Sequence, residues 1–135
     1  MSRRWIAFTL AALAAGCSTP QSREPPPKPF VGTHWQVVLE LPLAGEQPNM
    51  RFGDGRVEGF GGCNHFSAAY MEDSVGAAAL IVRRIDVSRH YCDPGIQAVE
   101  NHVVGVLQSA SSYKILGDAM DISGSAGRIK LKAVP

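Results

Sequence analysis

The chain has 135 residues, with Lys+Arg 13 against Asp+Glu 12 and three cysteines, which is room for one domain and excludes a two-domain arrangement. Apolar residues make up 45% and charged residues 19%, so the composition is that of an ordinary globular protein and not of a disordered chain. The near-balance of charge gives no electrostatic footing for nucleic-acid binding.

Met1 to Arg4 carries two arginines, Trp5 to Ala15 is an apolar run too short to span a bilayer, and Ala14-Ala15-Gly16-Cys17 follows directly. This pattern predicts a signal peptide over residues 1–16. A cysteine placed after small residues resembles the lipobox of bacterial lipoproteins, which makes Cys17 the new N-terminus and the lipidation site. An ordinary secretory signal, releasing a soluble protein, is the alternative. Arg3-Arg4 also resembles a twin-arginine export signal, but Ile6 and Ala7 depart from it and a plain basic leader fits better.

Ser18 to Phe30 holds five of the nine prolines and almost nothing to bury. Residues 17–30 are therefore expected to be a lipidated cysteine followed by a proline-rich tether, reaching up to about 40 Å in polyproline II geometry. The folded domain is expected over residues 31–135.

From Trp35 the residues Trp35, Val37, Leu39 and Leu41 alternate with more polar neighbours, the period of a half-buried strand, which Pro42 would end. Met50 to Gly59 reads as a hairpin turning at Asp54-Gly55. Phe66, Ala68 and Tyr70 alternate again, and Ala79 to Val87 is rich in β-branched residues. The period then changes: Ile96, Val99, Val103, Val106 or Leu107, and Ala110 recur at helical steps, with Asp93 as N-cap and Pro94 at the first helical position. Tyr113 and Ile115, Met120 and Ile122, and Ile129 and Leu131 mark three closing strands. The expected fold is α+β: a curved, half-barrel-like antiparallel sheet of about seven strands packed on one helix.

Gly32-x-x-Trp35, Phe52-Gly53-Asp54-Gly55-Arg56-Val57-x-Gly59, Gly62-Cys63-Asn64-x-Phe66-x-x-x-Tyr70, Cys92, Glu100, Leu107 and Tyr113 form an ordered series. The series resembles the META domain, the family of the HslJ heat-shock lipoprotein, from Gly32 to about Ala133. Ser88 departs from the threonine usual there, and His90-Tyr91 from the small or sulfur-bearing residues common before the second cysteine. The resemblance implies a curved sheet wrapped round a helix in a bacterial envelope protein, a motif without catalytic residues, and an association with stress or drug resistance.

With Cys17 lipidated, Cys63 and Cys92 form an even pair in an oxidising compartment, and a disulfide is the default. Two other readings use the same residues. Cys63 and His65 share a strand face, as do His90 and Cys92, so the four offer a Cys2His2 zinc set; the i,i+2 spacing is not the common one and oxidation would consume both thiolates. Cys63 with His65 or His90 as base and Asp93 as orienter has the residue types of a cysteine hydrolase, in no recognised order. No catalytic residue, metal or cofactor is therefore assigned. Gly62 and Asn64 are read as holding a tight turn, and Glu100 as a helix residue bonding the backbone of a loop such as that turn. Trp35, Phe52, Phe66, Tyr70 and Tyr113 are candidates to line a lipid or peptide pocket inside the sheet, though alternating strand positions serve equally as core. Arg83, Arg84 and Arg89 form a small basic cluster, and His34 and His102 are read as surface residues without partners.

The function expected is that of a non-enzymatic, lipid-anchored envelope protein that maintains the envelope or binds another envelope component, with the membrane as partner through its lipid and no nucleic acid. Ser18 after Cys17, in place of aspartate, points to the periplasmic side of the outer membrane. The alternative is a ligand-binding or inhibitor-like lipoprotein that uses the concave face of the sheet or the loop from Leu41 to Met50.

Overall fold

The computed structural model describes residues 15–74 and 78–135; residues 1–14 of the expected signal peptide lie outside the described residues. In chain order the elements are β1 (His34–Val37), β2 (Asn49–Gly53), β3 (Arg56–Phe60), β4 (His65–Asp73), β5 (Ala79–Val82), β6 (Asp86–Val87), α1 (Pro94–Gln108), β7 (Ala110–Leu116), β8 (Ala119–Gly124) and β9 (Gly127–Val134).

The sheet is antiparallel and runs β3-β2-β1-β9-β8-β7-β5-β4, and β3 also pairs with β4, from Phe60↔His65 to Arg56↔Ala69. Eight strands therefore close into a barrel, and the two-residue β6 lies along the same edge of β4 as β5, at Phe66↔Val87. The expected half-barrel of about seven strands is corrected to a closed one. Closure needs β1 to pair with both β2 and β9, a contact between chain ends that no local pattern encodes. Among the described residues each of the eight strands is paired on both sides, most narrowly at β5–β7 through Ala79↔Ser112.

The hairpin turns where its chemistry predicts, with positive φ at Asp54 (43°) and Gly55 (76°), the backbone twist that two-residue hairpins prefer. By contrast, β1 stops at Val37 instead of continuing to Leu41, which is exposed. Alternation continues past the point where partners end: β2 begins only at Asn49, and Val38 N–H makes the last bond, to Lys130 O at 2.8 Å.

Inward positions of the strands fill the barrel. Trp35, Met50, Phe52, Val57, Leu80 and Ile122 have no exposed surface, each contributing on the order of 1.5 to 3 kcal/mol by leaving water. The helix buries Val103, Val106 and Leu107 and packs against β8, β9 and β5. It runs from the β3–β4 turn, where Ile96 and Glu100 sit beside Gly62 and Gly61, to the β8–β9 turn, where His102 and Val106 meet Gly127. Those two turns lie at one end of an up-and-down barrel, so α1 is the lid of that end. Asp93 occupies the N-cap position but its side chain makes no capping bond; the first helical bond is Gln97 N–H to Asp93 O.

The opposite end is stopped by Phe30, which is buried. Its ring lies 4.2 Å from Phe52, 4.4 Å from Tyr113 and 5.7 Å from Tyr70 between centroids, and its carbonyl accepts from Trp35 Nε1 at 3.3 Å. Lys28 N–H bonds Gly117 O in the β7–β8 turn at 2.7 Å. Hydrogen bonding to the barrel thus begins at Lys28, with Pro25 already lying against Gly117, and the tether's last residues belong to the folded unit. The expected boundary at Val31 falls late because a lone phenylalanine among prolines carries no periodicity.

Candidate functional site

Most of the chemistry-bearing side chains meet where the lid helix crosses the β3–β4 turn. Cys63 and Cys92 are joined, with Sγ–Sγ 2.01 Å and Cα–Cα 5.9 Å, tying that turn to the residue two before the helix. The bond removes both thiolates from the Cys2His2 set and from the cysteine-nucleophile reading. His65 instead lies beside the Phe60 ring at 5.2 Å, and His90 Nδ1 is 3.1 Å from Asn64 Oδ1. Among the described residues no group of three or more His, Cys, Asp or Glu is arranged to hold a metal.

Glu100 is 3% exposed and reaches out of the helix into the turn. Oε2 accepts the backbone N–H of Cys63 at 3.0 Å and that of Asn64; Oε1 accepts Asn64 Nδ2 at 2.8 Å. A buried carboxylate left without donors would be costly. Here burial pushes the carboxyl up, but the bonds from the Asn64 side chain, the backbone of Asn64 and Cys63, and Gln97 outweigh it and hold the group below its ordinary value. The approach depends on Gly61, where a Cβ would stand 2.7 Å from Glu100 Cγ. Gly62 takes φ 120°, a backbone angle that favours glycine.

Asn64 does more than hold its own turn. While Nδ2 donates to Glu100, Oδ1 accepts His90 N–H at 2.7 Å and Ser88 Oγ at 3.3 Å. One amide therefore joins the turn, the helix and the segment just after β6. Sequence reasoning placed Asn64 and Glu100 together but missed Ser88, His90 and Gly61. Ser88 keeps the hydroxyl that a threonine would have supplied, and that was the available signal.

The five candidate pocket aromatics occupy the barrel interior. Trp35 and Phe52 are wholly buried, Phe66 is 4% exposed, and Tyr70 and Tyr113 reach the end that Phe30 stops. Tyr113 donates its hydroxyl to Glu72 Oε2 at 3.1 Å. Burial first, then that bond and the nearby carboxylates, push Tyr113 up to about 12; burial, with Glu72, also raises Tyr70. The concave face invoked for a ligand is thus the packed inside of a closed barrel. Cys17 is exposed with a free thiol. His34, read as partnerless, has Nε2 at 3.1 Å from Asn49 Oδ1.

Two open grooves of about 740 Å³ each lie on the outer surface. One crosses β1 to β4 beside His34, Arg51, Glu58 and His65. The other runs between α1 and residues 84–91, floored by Asn64 and Glu100 and flanked by Arg84 and Arg89.

Comparison with solved structures finds the same fold in distant proteins. A protein from Burkholderia xenovorans superposes with a TM-score of 0.60 at 14% identity, covering 86% of this chain and 97% of its own. A DUF4847 family protein from Bacteroides vulgatus gives 0.56 at 13% identity, covering 76% of this chain and 93% of its own. No match is found among curated proteins. The family model of the META domain matches residues 28–133, beginning at Lys28, the first residue bonded to the barrel. The chain belongs to the META domain family.

Proposed function

We propose that this META-domain protein is a non-enzymatic, lipid-anchored component of the bacterial envelope, held on the periplasmic side of the outer membrane, where it maintains the envelope by binding another envelope component. The observation that carries the reading is the placement of the tether. Residues 17–29 are exposed and Phe30 enters the barrel at the end opposite the helix. A lipid on Cys17 would then hold the Phe30 end toward the membrane, within about 40 Å for an extended proline-rich segment, and turn the helix end away from it. Support also comes from the chemistry: Cys63, Cys92, Glu100 and Asn64 are spent on holding the fold, which fits a binding role better than a catalytic one.

Intact mass of the membrane-extracted protein, before and after reduction and alkylation, tests the reading. Lipid mass on a chain beginning at Cys17, with two alkylation sites appearing only after reduction, is expected. An unlipidated chain that keeps its leader or starts elsewhere overturns the anchor. Density-gradient fractionation then separates outer from inner membrane, and recovery in the inner membrane overturns the location.

A further inference from the structure

The groove between the helix and residues 84–91 has one wall made of backbone. Ser88 N–H bonds His65 O at 3.0 Å and His90 N–H bonds Asn64 Oδ1, so alternate residues of the segment that follows β6 point their amides inward. In an antiparallel pair the residues between them, Val87 and Arg89, direct N–H and C=O away from β4. Among the described residues those outward amides find no partner.

The fold already shows what such an edge accepts. One step earlier on the same side, the side-chain amide of Gln108 behaves as a peptide unit: its Oε1 accepts Ile85 N–H at 3.0 Å and its Nε2 donates to Arg83 O at 3.2 Å. Beyond Gln108 the facing helix wall is Gln97, Asn101, Val104 and Gly105, a stripe of amides and small residues that leaves the edge open. At the mouth stand the exposed Arg84 and Arg89, with the exposed Asp86 between them along the chain but no carboxylate at ion-pair distance from either arginine among the described residues, and Tyr91, whose ring is fully solvated.

We infer that this groove receives an extended acidic peptide segment of a partner protein, which adds as a short strand to the outward edge at Val87 and Arg89, with its carboxylates on Arg84 and Arg89. The inference rests on the binding role proposed above and names the chemistry of the partner. Main-chain bonds supply the affinity in such strand addition, and the two arginines supply the choice of sign. The groove lies at the helix-lidded end, remote from the docked tether.

The test titrates the full ¹⁵N-labelled chain with a capped synthetic peptide of alternating Glu and Val. The same peptide N-methylated on alternate amides, and one with Lys for Glu, serve as controls. Shifts at the Val87 and Arg89 amides, and slowing of their hydrogen exchange by about tenfold or more, are expected with the acidic peptide alone. The Arg84→Glu/Arg89→Glu variant, altered only at exposed side chains, should keep its fold by circular dichroism and bind at least about tenfold more weakly. Absence of shifts at Val87 and Arg89 overturns the site. Equal binding of the N-methylated peptide overturns strand addition, and equal binding to the charge-reversed variant overturns the acidic partner. Because the titration is done in solution, an unlipidated mass would overturn the anchor and leave this result readable.

Discussion

The Glu100 carboxylate accepts the main-chain N–H of two consecutive residues, Cys63 and Asn64, 37 and 36 positions earlier in the chain. A helix side chain thus completes a turn between two strands, in the manner of a ligand bound by a nest of amides. Glu100→Gln replaces one acceptor with a donor facing donors. It is expected to cost about 2 to 3 kcal/mol, read from the denaturant midpoint, and Glu100→Asp should fail to restore it because the side chain is one methylene short.

The same carboxyl sets a pH dependence. Its folded value lies below the ordinary 4.5, so the stability it contributes is fully present above about 4.5 and is lost as pH falls through the folded value. Urea unfolding followed downward from neutral pH should show this loss in the native sequence. In Glu100→Gln that component should be absent.

Reducing the Cys63–Cys92 bond opens a loop with a sequence separation of 29. Loop-closure entropy puts its contribution between ~3 and ~4 kcal/mol, a large part of the ~5 to 15 kcal/mol typical of a domain. Unfolding with and without reductant measures it. An unchanged midpoint would show that the Glu100 and Asn64 bonds hold the turn by themselves.

Phe30→Ala should destabilise the barrel by about 3 kcal/mol, since the ring stops one end and touches three core aromatics. Deleting residues 18–24, which are exposed, should leave the thermal midpoint in place. Equal effects of the two changes would show that the tether acts only as a spacer.

Tyr113 offers an alkaline probe. Its hydroxyl is pushed up to about 12, above the ordinary 10, so its contribution to stability is intact below 10 and is lost as pH rises toward 12. Tyr113→Phe should remove the phenolate absorbance step at about 12 and cost roughly 1 kcal/mol through the lost bond to Glu72.

What was legible in the sequence was what neighbours along the chain decide. The Asp54-Gly55 hairpin, the helix beginning at Pro94 and the meander from Tyr113 follow from turn chemistry and periodicity, and the structure has them. The pairing of β3 with β4 into a closed ring, the two-residue β6 and the bonds from Asn64 to Ser88 and His90 depend on segments brought together only after collapse. Leu41 shows the converse error, an exposed residue at the end of an alternating pattern that outlasts its strand, whereas Leu39 still packs against the core. Phe30 escaped notice because its burial depends on a barrel end built from residues 52, 70 and 113, and proline-rich surroundings gave it no period to share.

The pairing of β1 with β9 has an engineering consequence. Lys28, Pro29, Val134 and Pro135 line one shallow depression, so the domain's entrance and exit are adjacent. A short linker could join Lys28 to Pro135 while new ends are opened at Asp54-Gly55, giving a circular permutant with every ladder intact. Equally, the whole unit could be spliced into a surface loop of an unrelated host, entering and leaving through one doorway without prising the barrel apart.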